Sequence, residues 1–158
     1  MLTLELMLIR LGVAILLGAI IGLERELAGK EAGIRTDIMV AAGAAIFSII
    51  GLELPYIVSN TFNVPIGIAT QGGGFLAVLA NVVVGVGFLG AGIIIKHGVH
   101  VLGLTTAATV WLVAAIGVLC GIGLINFAVI SAIGLTILLS VLRRLDVDVL
   151  QKRRERNE

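Results

Sequence analysis

Residues 97–142 read HGVHVLGLTTAATVWLVAAIGVLCGIGLINFAVISAIGLTILLSVL and contain no Asp, Glu, Lys or Arg. A helix that spans a membrane needs about 20 predominantly apolar residues, so this stretch is long enough for a pair of spanning helices. The stretch between Glu53 and Lys96 lacks the same four residue types. The sequence therefore predicts an integral membrane protein and excludes a soluble domain.

The composition of the whole chain agrees with this prediction. Of its 158 residues, 59% are hydrophobic and 13% are charged, whereas soluble domains carry about 25% charged residues. The 21 glycines suit membrane helices, in which small residues allow close backbone contact. A net charge of +1 gives no reason to expect a nucleic-acid partner, and the single cysteine, Cys120, excludes an internal disulfide. We expect no cofactor.

The hydrophobic pattern predicts an all-α fold, a polytopic transmembrane bundle of about five spanning helices in the lipid bilayer. Residues 60–74 are expected to form a loop, either re-entrant or lying on the surface. We expect a membrane domain at residues 1–142 and a basic tail at residues 143–158. The predicted helices are Leu4–Leu23, Thr36–Ser59, Phe75–Lys96, Leu104–Leu119 and Ile122–Leu142.

Loop charges predict the orientation of these helices. With five spans, all but one of the eleven Lys and Arg residues lie on one side, and the exception, Arg10, lies within the first helix. Because basic loops stay in the cytoplasm, we expect the N-terminus outside and the tail in the cytoplasm. We expect the protein to lie in the cell membrane (inner or plasma membrane). The basic residues of the cytoplasmic side are Arg25, Lys30, Arg35, Lys96, Arg143, Arg144, Lys152, Arg153, Arg154 and Arg156.

The same topology brings four helix ends together on the cytoplasmic side. We predict a polar cluster there, formed by Glu24, Arg25, Arg35, Thr36, Lys96, Thr105 and Thr106. Thr36 is positioned to cap the second helix, and the two later threonines either cap the fourth helix or bond back to its carbonyls. The alternative is that the charges are separately solvated and pair for little gain.

Polar side chains inside the spans are functional candidates by default. Arg10 lies near the outer end of the first helix, where it is either an anchor that reaches outward to Glu5 or Glu53 or a buried functional charge. Asn81 in the third helix is expected to bond a neighbouring helix. Trp111 lies in the middle of its span and is expected to pack inside the bundle.

Glycines recur along the third helix. The segment that begins at Gly85 matches G-x-G-x-x-G, but no βαβ pattern surrounds it, so a nucleotide site is excluded. The glycines either allow close helix packing or expose carbonyls to an ion from a broken helix. The glycines in question are Gly85, Gly87, Gly90 and Gly92, together with Gly18 and Gly22 of the first helix.

Two ordered blocks carry a resemblance to a known family. They are GAIIGLERELAGKEAGIRTDIMVAAGAAIF at residues 18–47 and GVGFLGAGIIIKHGVHVLGLTTAATVWLVAAIGVLCGIG at residues 85–123. This order is similar to that of the MgtC/SapB family of prokaryotic membrane proteins. The resemblance implies a role in magnesium homeostasis and low-magnesium growth, exerted by regulating other membrane proteins, including the proton-translocating ATP synthase.

The chain departs from the family pattern at two places. The Asp-Pro-x-Arg stretch that usually leads into the third helix is replaced by GGGFLAVLANVVVG at residues 72–85. Many members also carry a soluble C-terminal domain, whereas here we expect the membrane domain alone. The consequences of both departures are open.

Two functions remain open, and a third is set aside. The first is a regulatory protein that binds partner membrane proteins, or itself as a homo-oligomer with a dimer favoured, through its glycine faces. The alternative is an oligomeric transporter or channel for Mg²⁺ or another cation, to which Glu24 could supply one carboxylate per subunit. Metal ligands are otherwise unknown. We expect no enzyme, since neither a nucleophile–base pair nor an HExxH motif is present.

Overall fold

The computed structural model describes residues 1–70 and 73–155 of the chain. Five helical segments are long and apolar enough to cross a membrane: α1, α2, α5, α6, and the segment Ile66–Ile93 that contains α3 and α4. The prediction of five such helices is therefore confirmed. In chain order the elements are α1 (Leu4–Leu27), α2 (Ile34–Phe62), α3 (Ile66–Ala69), α4 (Gly74–Ile93), β1 (Ile95–His97), β2 (His100–Leu102), α5 (Leu104–Ile122) and α6 (Ile125–Glu155).

The second helix begins two residues earlier than predicted, and its cap is different. Gly33 is extended at the N-cap position, and the Glu26 carboxylate accepts a hydrogen bond of 3.0 Å from the backbone N–H of Ile34. This carboxylate satisfies one of the backbone donors left free in the first turn of a helix. Thr36 lies inside that turn, so the prediction that Thr36 caps the helix is wrong.

A small β-hairpin replaces the predicted cytoplasmic turn. α4 ends at Ile93, and strands β1 and β2 pair antiparallel with Lys96 opposite Val101. Gly98 has φ +61 in the turn, a conformation that L side chains rarely adopt, and β-branched residues flank it. The third spanning helix therefore does not reach Lys96, and the all-α prediction holds apart from this hairpin.

Three helices, α1, α2 and α5, form the centre of the bundle through small residues. A Cβ atom built on Gly22 would lie 2.6 Å from the Cα of Ile34, and one on Gly121 would lie 2.6 Å from the carbonyl oxygen of Ala45. Such contacts require glycine and allow backbones to approach closely. The core packed around them contains Ala14, Leu17, Ile21, Ala41, Ala45, Val113, Ile116, Cys120, Ala128 and Ala132.

The helices α4 and α6 lie at the periphery. Within α4, Gly90 is the one buried residue, and the side chains of Phe88 and Val84 are 84% and 70% exposed. Trp111 of α5 is 47% exposed next to α4, so the prediction that it packs inside the bundle is wrong. α6 continues past the predicted end at Leu142 as far as Glu155.

Candidate functional site

Four polar side chains are buried where α1 ends and where α2 and α5 begin. Arg25 is 3% exposed, Asp37 is fully buried and Thr106 is 2% exposed, and the side chain of Glu24 is 10% exposed. The central helices meet closely through glycine at this end, which excludes solvent from the side chains. We call Glu24, Arg25, Asp37 and Thr106 the buried polar cluster, and this end of the bundle the charged end.

Arg25 links the members of the cluster. Its Nη1 lies 3.9 Å from Oε2 of Glu24, and its Nη2 donates to Oγ1 of Thr106 at 3.5 Å. Thr106 in turn donates to Oε2 of Glu31 at 2.6 Å, in the segment between α1 and α2. Asp37 lies in the same buried region but makes neither a hydrogen bond nor an ion pair with Arg25. Arg25 thus pairs with one of the two carboxylates of the cluster.

The carboxylates of the cluster lack hydrogen-bond donors. Among the residues that the structure describes, none donates to either oxygen of Glu24 or of Asp37, and Nε of Arg25 has no acceptor. Buried polar groups are normally hydrogen-bonded, and a buried ionised carboxylate without a partner is unfavourable. The cluster therefore contains two carboxylates and one cation, and the hydrogen-bond donors of Arg25 do not reach all of the carboxylate oxygens.

The structure brings together three of the seven residues that were predicted to converge: Glu24, Arg25 and Thr106. Arg35, Lys96 and Thr105 are exposed, and Thr36 is half-buried. Arg35 and Asp37 are two positions apart on one helix, which places them on different faces because a helix turns about 100° per residue. The cluster is accordingly smaller and more enclosed than the predicted vestibule.

Asp37 and Glu31 were missed as members of this region. A sequence signal existed for Asp37, because it precedes Ala41 and Ala45 at intervals of four residues, and these alanines are fully buried. Residues four apart share one helix face, so the small-residue stripe on α2 extends to Asp37. Glu31 had no such signal, since it lies outside the helices.

The opposite end of the bundle holds a second set of polar contacts. Nη1 of Arg10 donates to the carbonyl oxygen of Gly121 at 2.7 Å, in the last turn of α5. A cation is favourable there because the final carbonyls of a helix are unpaired and carry partial negative charge. Glu53 instead accepts from the backbone N–H of Leu2 at 2.7 Å. The predicted pairing of Arg10 with Glu5 or Glu53 is therefore wrong.

The glycines of α4 differ from Gly18 and Gly22 of α1 in their surroundings. Among the described residues, nothing lies within 4 Å of a Cβ built on Gly85, Gly87 or Gly92, and Gly90 makes only ordinary contact with Ala107. Nδ2 of Asn81 donates to the carbonyl oxygen of Ala77 in its own helix at 2.9 Å, rather than to a neighbouring helix. This face of α4 is therefore open within the chain.

An apolar groove lies between α2 and α4 beside that open face. Its volume is about 560 Å³, and Asn81 is its polar lining residue. Gly43 and Gly85 contribute to its walls, and no atom of the described residues lies within 4 Å of a Cβ built on either glycine. The groove is therefore wide enough to admit atoms from outside the chain.

The charged end does not provide a cage for a metal ion. Residues 1–70 and 73–155 contain no group of three or more His, Cys, Asp or Glu side chains that could hold one. Mg²⁺ requires octahedral oxygen coordination and keeps several waters when few carboxylates are present. The residues of the buried polar cluster therefore do not fit an all-protein magnesium site.

The contact between Thr106 and Glu31 leads to a pH-dependent prediction. The hydrogen bond from Thr106 is the largest cause that lowers the pKa of Glu31 below its ordinary value of 4.5. The stabilisation is therefore complete above about pH 4.5 and is lost as the pH falls through the lower, folded-state pKa. We expect Thr106→Val to reduce this acid-dependent loss in a series of thermal unfolding measurements in detergent.

Thr105→Val is the matched control, because Thr105 is adjacent but exposed and its hydroxyl group makes no hydrogen bond to the described residues. It should retain the acid-dependent loss of the wild type. An identical acid profile in the Thr106→Val protein would contradict the assignment of the shift to this contact.

Comparison with known proteins relates the chain to named relatives. It is 43% identical over 138 residues to the Protein MgtC of Brucella abortus (strain 2308), covering 87% of this chain and 51% of the relative. It is 44% identical over 120 residues to the Protein MgtC of Salmonella typhimurium (strain LT2), covering 76% and 45%. An uncharacterized protein of Synechocystis is 42% identical over 125 residues, covering 79% and 47%.

The chain spans about half the length of these curated relatives. No solved structure matches it. The MgtC family model matches residues 11–147, which include α2, α4, α5 and the buried polar cluster. Five helices that are able to span a membrane accompany that match, as expected of a multi-pass membrane protein. The chain therefore belongs to the MgtC family.

Proposed function

We propose that this protein supports adaptation to low magnesium by binding and regulating other membrane proteins, from the cytoplasmic (inner) membrane and with its tail in the cytoplasm. The observation that carries the proposal is the exposure of α4, a helix in which Gly90 is the one buried residue. A spanning helix that packs so little against its own chain leaves its surface to lipid or to a partner. The magnesium link follows from the family resemblance.

The chemistry of this surface favours a protein partner over lipid alone. We define the α4 face as Asn81, Val84, Gly85, Phe88 and Gly92, which share one side of the helix at intervals of three and four residues. Glycines without neighbours allow a second backbone to approach, and a lipid-exposed amide gains a hydrogen bond from a polar group on another helix. Phe88 provides an exposed aromatic anchor.

A photo-crosslinking amino acid at Phe88 tests this proposal in cells grown in low magnesium. We expect a crosslink from position 88 to a transmembrane subunit of the proton-translocating ATP synthase, the partner that the family resemblance implies. Ile130 is the matched control position, because it is 68% exposed on another helix, α6. Gly85→Leu should reduce the crosslink several-fold by filling the surface beside position 88.

The outcomes separate the candidate partners. A crosslink between two copies of this chain would show instead that a second copy packs against the α4 face. Equal labelling at positions 88 and 130, or lipid adducts alone, would contradict a protein partner at the α4 face. Growth in low magnesium then measures whether the Gly85→Leu variant also loses its function.

Cation transport is the second candidate, and the buried carboxylate oxygens of Glu24 and Asp37, to which no described residue donates a hydrogen bond, favour it. Against it stands the centre of the bundle, where alanine, leucine and valine side chains fill the space between α1, α2 and α5. We expect proteoliposomes containing the purified protein to show no flux of Mg²⁺, H⁺ or K⁺ above empty vesicles. A flux that Glu24→Gln abolishes, in a protein that still inserts, would establish transport and overturn the expectation.

A further inference from the structure

We propose that the buried polar cluster is a proton-binding site, in which Asp37 carries one proton while Arg25 neutralises Glu24. This site lies at the charged end and not on the α4 face. A result that contradicts one of the two proposals therefore does not contradict the other. The ligand is the proton itself, held inside the folded protein at neutral pH.

The geometry around Asp37 supports a neutral carboxyl group. Asp37 is fully buried, and neither of its oxygens has a hydrogen-bond donor among the described residues. Arg25 forms its ion pair with Glu24, at 3.9 Å, and its hydrogen bond with Thr106. An ionised carboxylate that is removed from water without a partner takes up a proton, because the charged form is strongly disfavoured.

The charges on the surrounding elements do not supply a second cation. On α1, the Glu26 carboxylate is already engaged by the backbone of Ile34, which leaves Glu24 and Arg25. Glu31 and Lys30, between α1 and α2, are exposed, as is Arg35 on α2 itself.

The remaining neighbours contribute no ionised group to the site either. α5 faces the cluster with the hydroxyl groups of Thr106 and Thr109, which do not titrate in the usual pH range. α4 has no Asp, Glu, Lys, Arg or His residue, and Arg143 and Arg144 of α6 are exposed. Within the described chain, Arg25 is therefore the one buried cation for two buried carboxylates.

A proton fits this site better than a metal cation does. A metal ion would have to bind beside the positive guanidinium of Arg25, and the described residues offer no third His, Cys, Asp or Glu side chain to hold it. The helices also leave little room, since a Cβ built on Gly18 would lie 2.7 Å from the backbone oxygen of Asp37. A proton needs neither additional ligands nor additional space.

Infrared spectroscopy of the wild-type protein in detergent at neutral pH tests the proposal directly. We expect an absorption band of a protonated carboxyl group, which shifts when the protein is made with carboxyl-labelled ¹³C-aspartate. The chain has three aspartates, Asp37, Asp146 and Asp148, so the label restricts the band to these three and the Asp37→Asn variant distinguishes among them. Absence of the band, or a band that the label does not shift, would overturn the proposal.

Matched variants then assign the band. Asp37→Asn should abolish it, since asparagine keeps the shape of the side chain but cannot carry the proton. Glu24→Gln should retain it, and so should Glu5→Gln, which removes an exposed carboxylate far from the site. A band that persists in a folded Asp37→Asn protein, or that disappears in Glu24→Gln, would place the proton elsewhere and reject the assignment.

Thermal unfolding as a function of pH provides an independent readout. The folded protein holds a proton that unfolded Asp37 releases near pH 4, so stability decreases as the pH rises above that value. We expect the folding equilibrium constant to fall about tenfold per pH unit until folded Asp37 also ionises, relative to Asp37→Asn. Parallel pH profiles for the two proteins would contradict the proposal.

Discussion

Arg25→Met is expected to reduce the free energy of unfolding by about 3–5 kcal/mol, because it leaves the Glu24 carboxylate without its cation. Methionine retains an unbranched apolar stem close to that of arginine but lacks the guanidinium group. Arg25 is 3% exposed, and water cannot replace it as a partner of Glu24. Chemical unfolding in mixed detergent micelles measures the change.

Arg35→Met is the control for this variant. Arg35 lies in the same region of the chain but is exposed, and substitutions at such positions change stability by about 0.5 kcal/mol or less. Adding Glu24→Gln to Arg25→Met should recover part of the loss, since it removes the negative charge that Arg25 neutralised. A double variant as unstable as the sum of its single variants would show that the two side chains are not coupled.

Gly22→Ala is expected to reduce the free energy of unfolding by about 1–3 kcal/mol, the usual range for overpacking a tight core. The added methyl group would lie 2.6 Å from the Cα of Ile34, which is backbone and cannot rotate away. α1 and α2 would have to separate, and the buried polar cluster would open with them. Melting temperature in detergent reports the effect.

The same substitution at Gly12 separates packing from helix propensity. Gly12 is on the same helix, but no described atom lies within 4 Å of a Cβ at that position. Alanine favours a helix over glycine by up to about 1 kcal/mol, so Gly12→Ala should be neutral or stabilising. Equal destabilisation by both variants would contradict close packing at Gly22 as the cause.

Much of the fold could be predicted because membrane spans depend on local composition. Each apolar segment contains its own evidence of length and hydrophobicity, so five helices were found without knowledge of their neighbours. The hairpin between α4 and α5 was not found, since the apolar run continues through it as far as Ile95. Hydropathy does not distinguish an extended apolar segment from the last turn of a helix.

The contents of the candidate site were less predictable because they depend on which helices become neighbours. Gly22 and Gly85 look alike in sequence, yet Gly22 touches α2 whereas Gly85 faces no other atom of the described chain. The acidic side chain Asp37 suited the positive end of a helix on local grounds. Its complete burial arises from α1 and α5, and the cap of α2 comes from Glu26, eight positions upstream of its donor.

The hydrogen bond between Arg10 and Gly121 has a consequence for biosynthesis. These residues are 111 positions apart, so the ribosome delivers the first helix long before the carbonyl that receives its guanidinium exists. At a synthesis rate of about 5–20 residues per second, roughly 5–20 s pass between the synthesis of Arg10 and that of Gly121. During that interval Arg10 of the nascent first helix lacks this acceptor, and synthesis of α5, the fourth spanning helix, then supplies it.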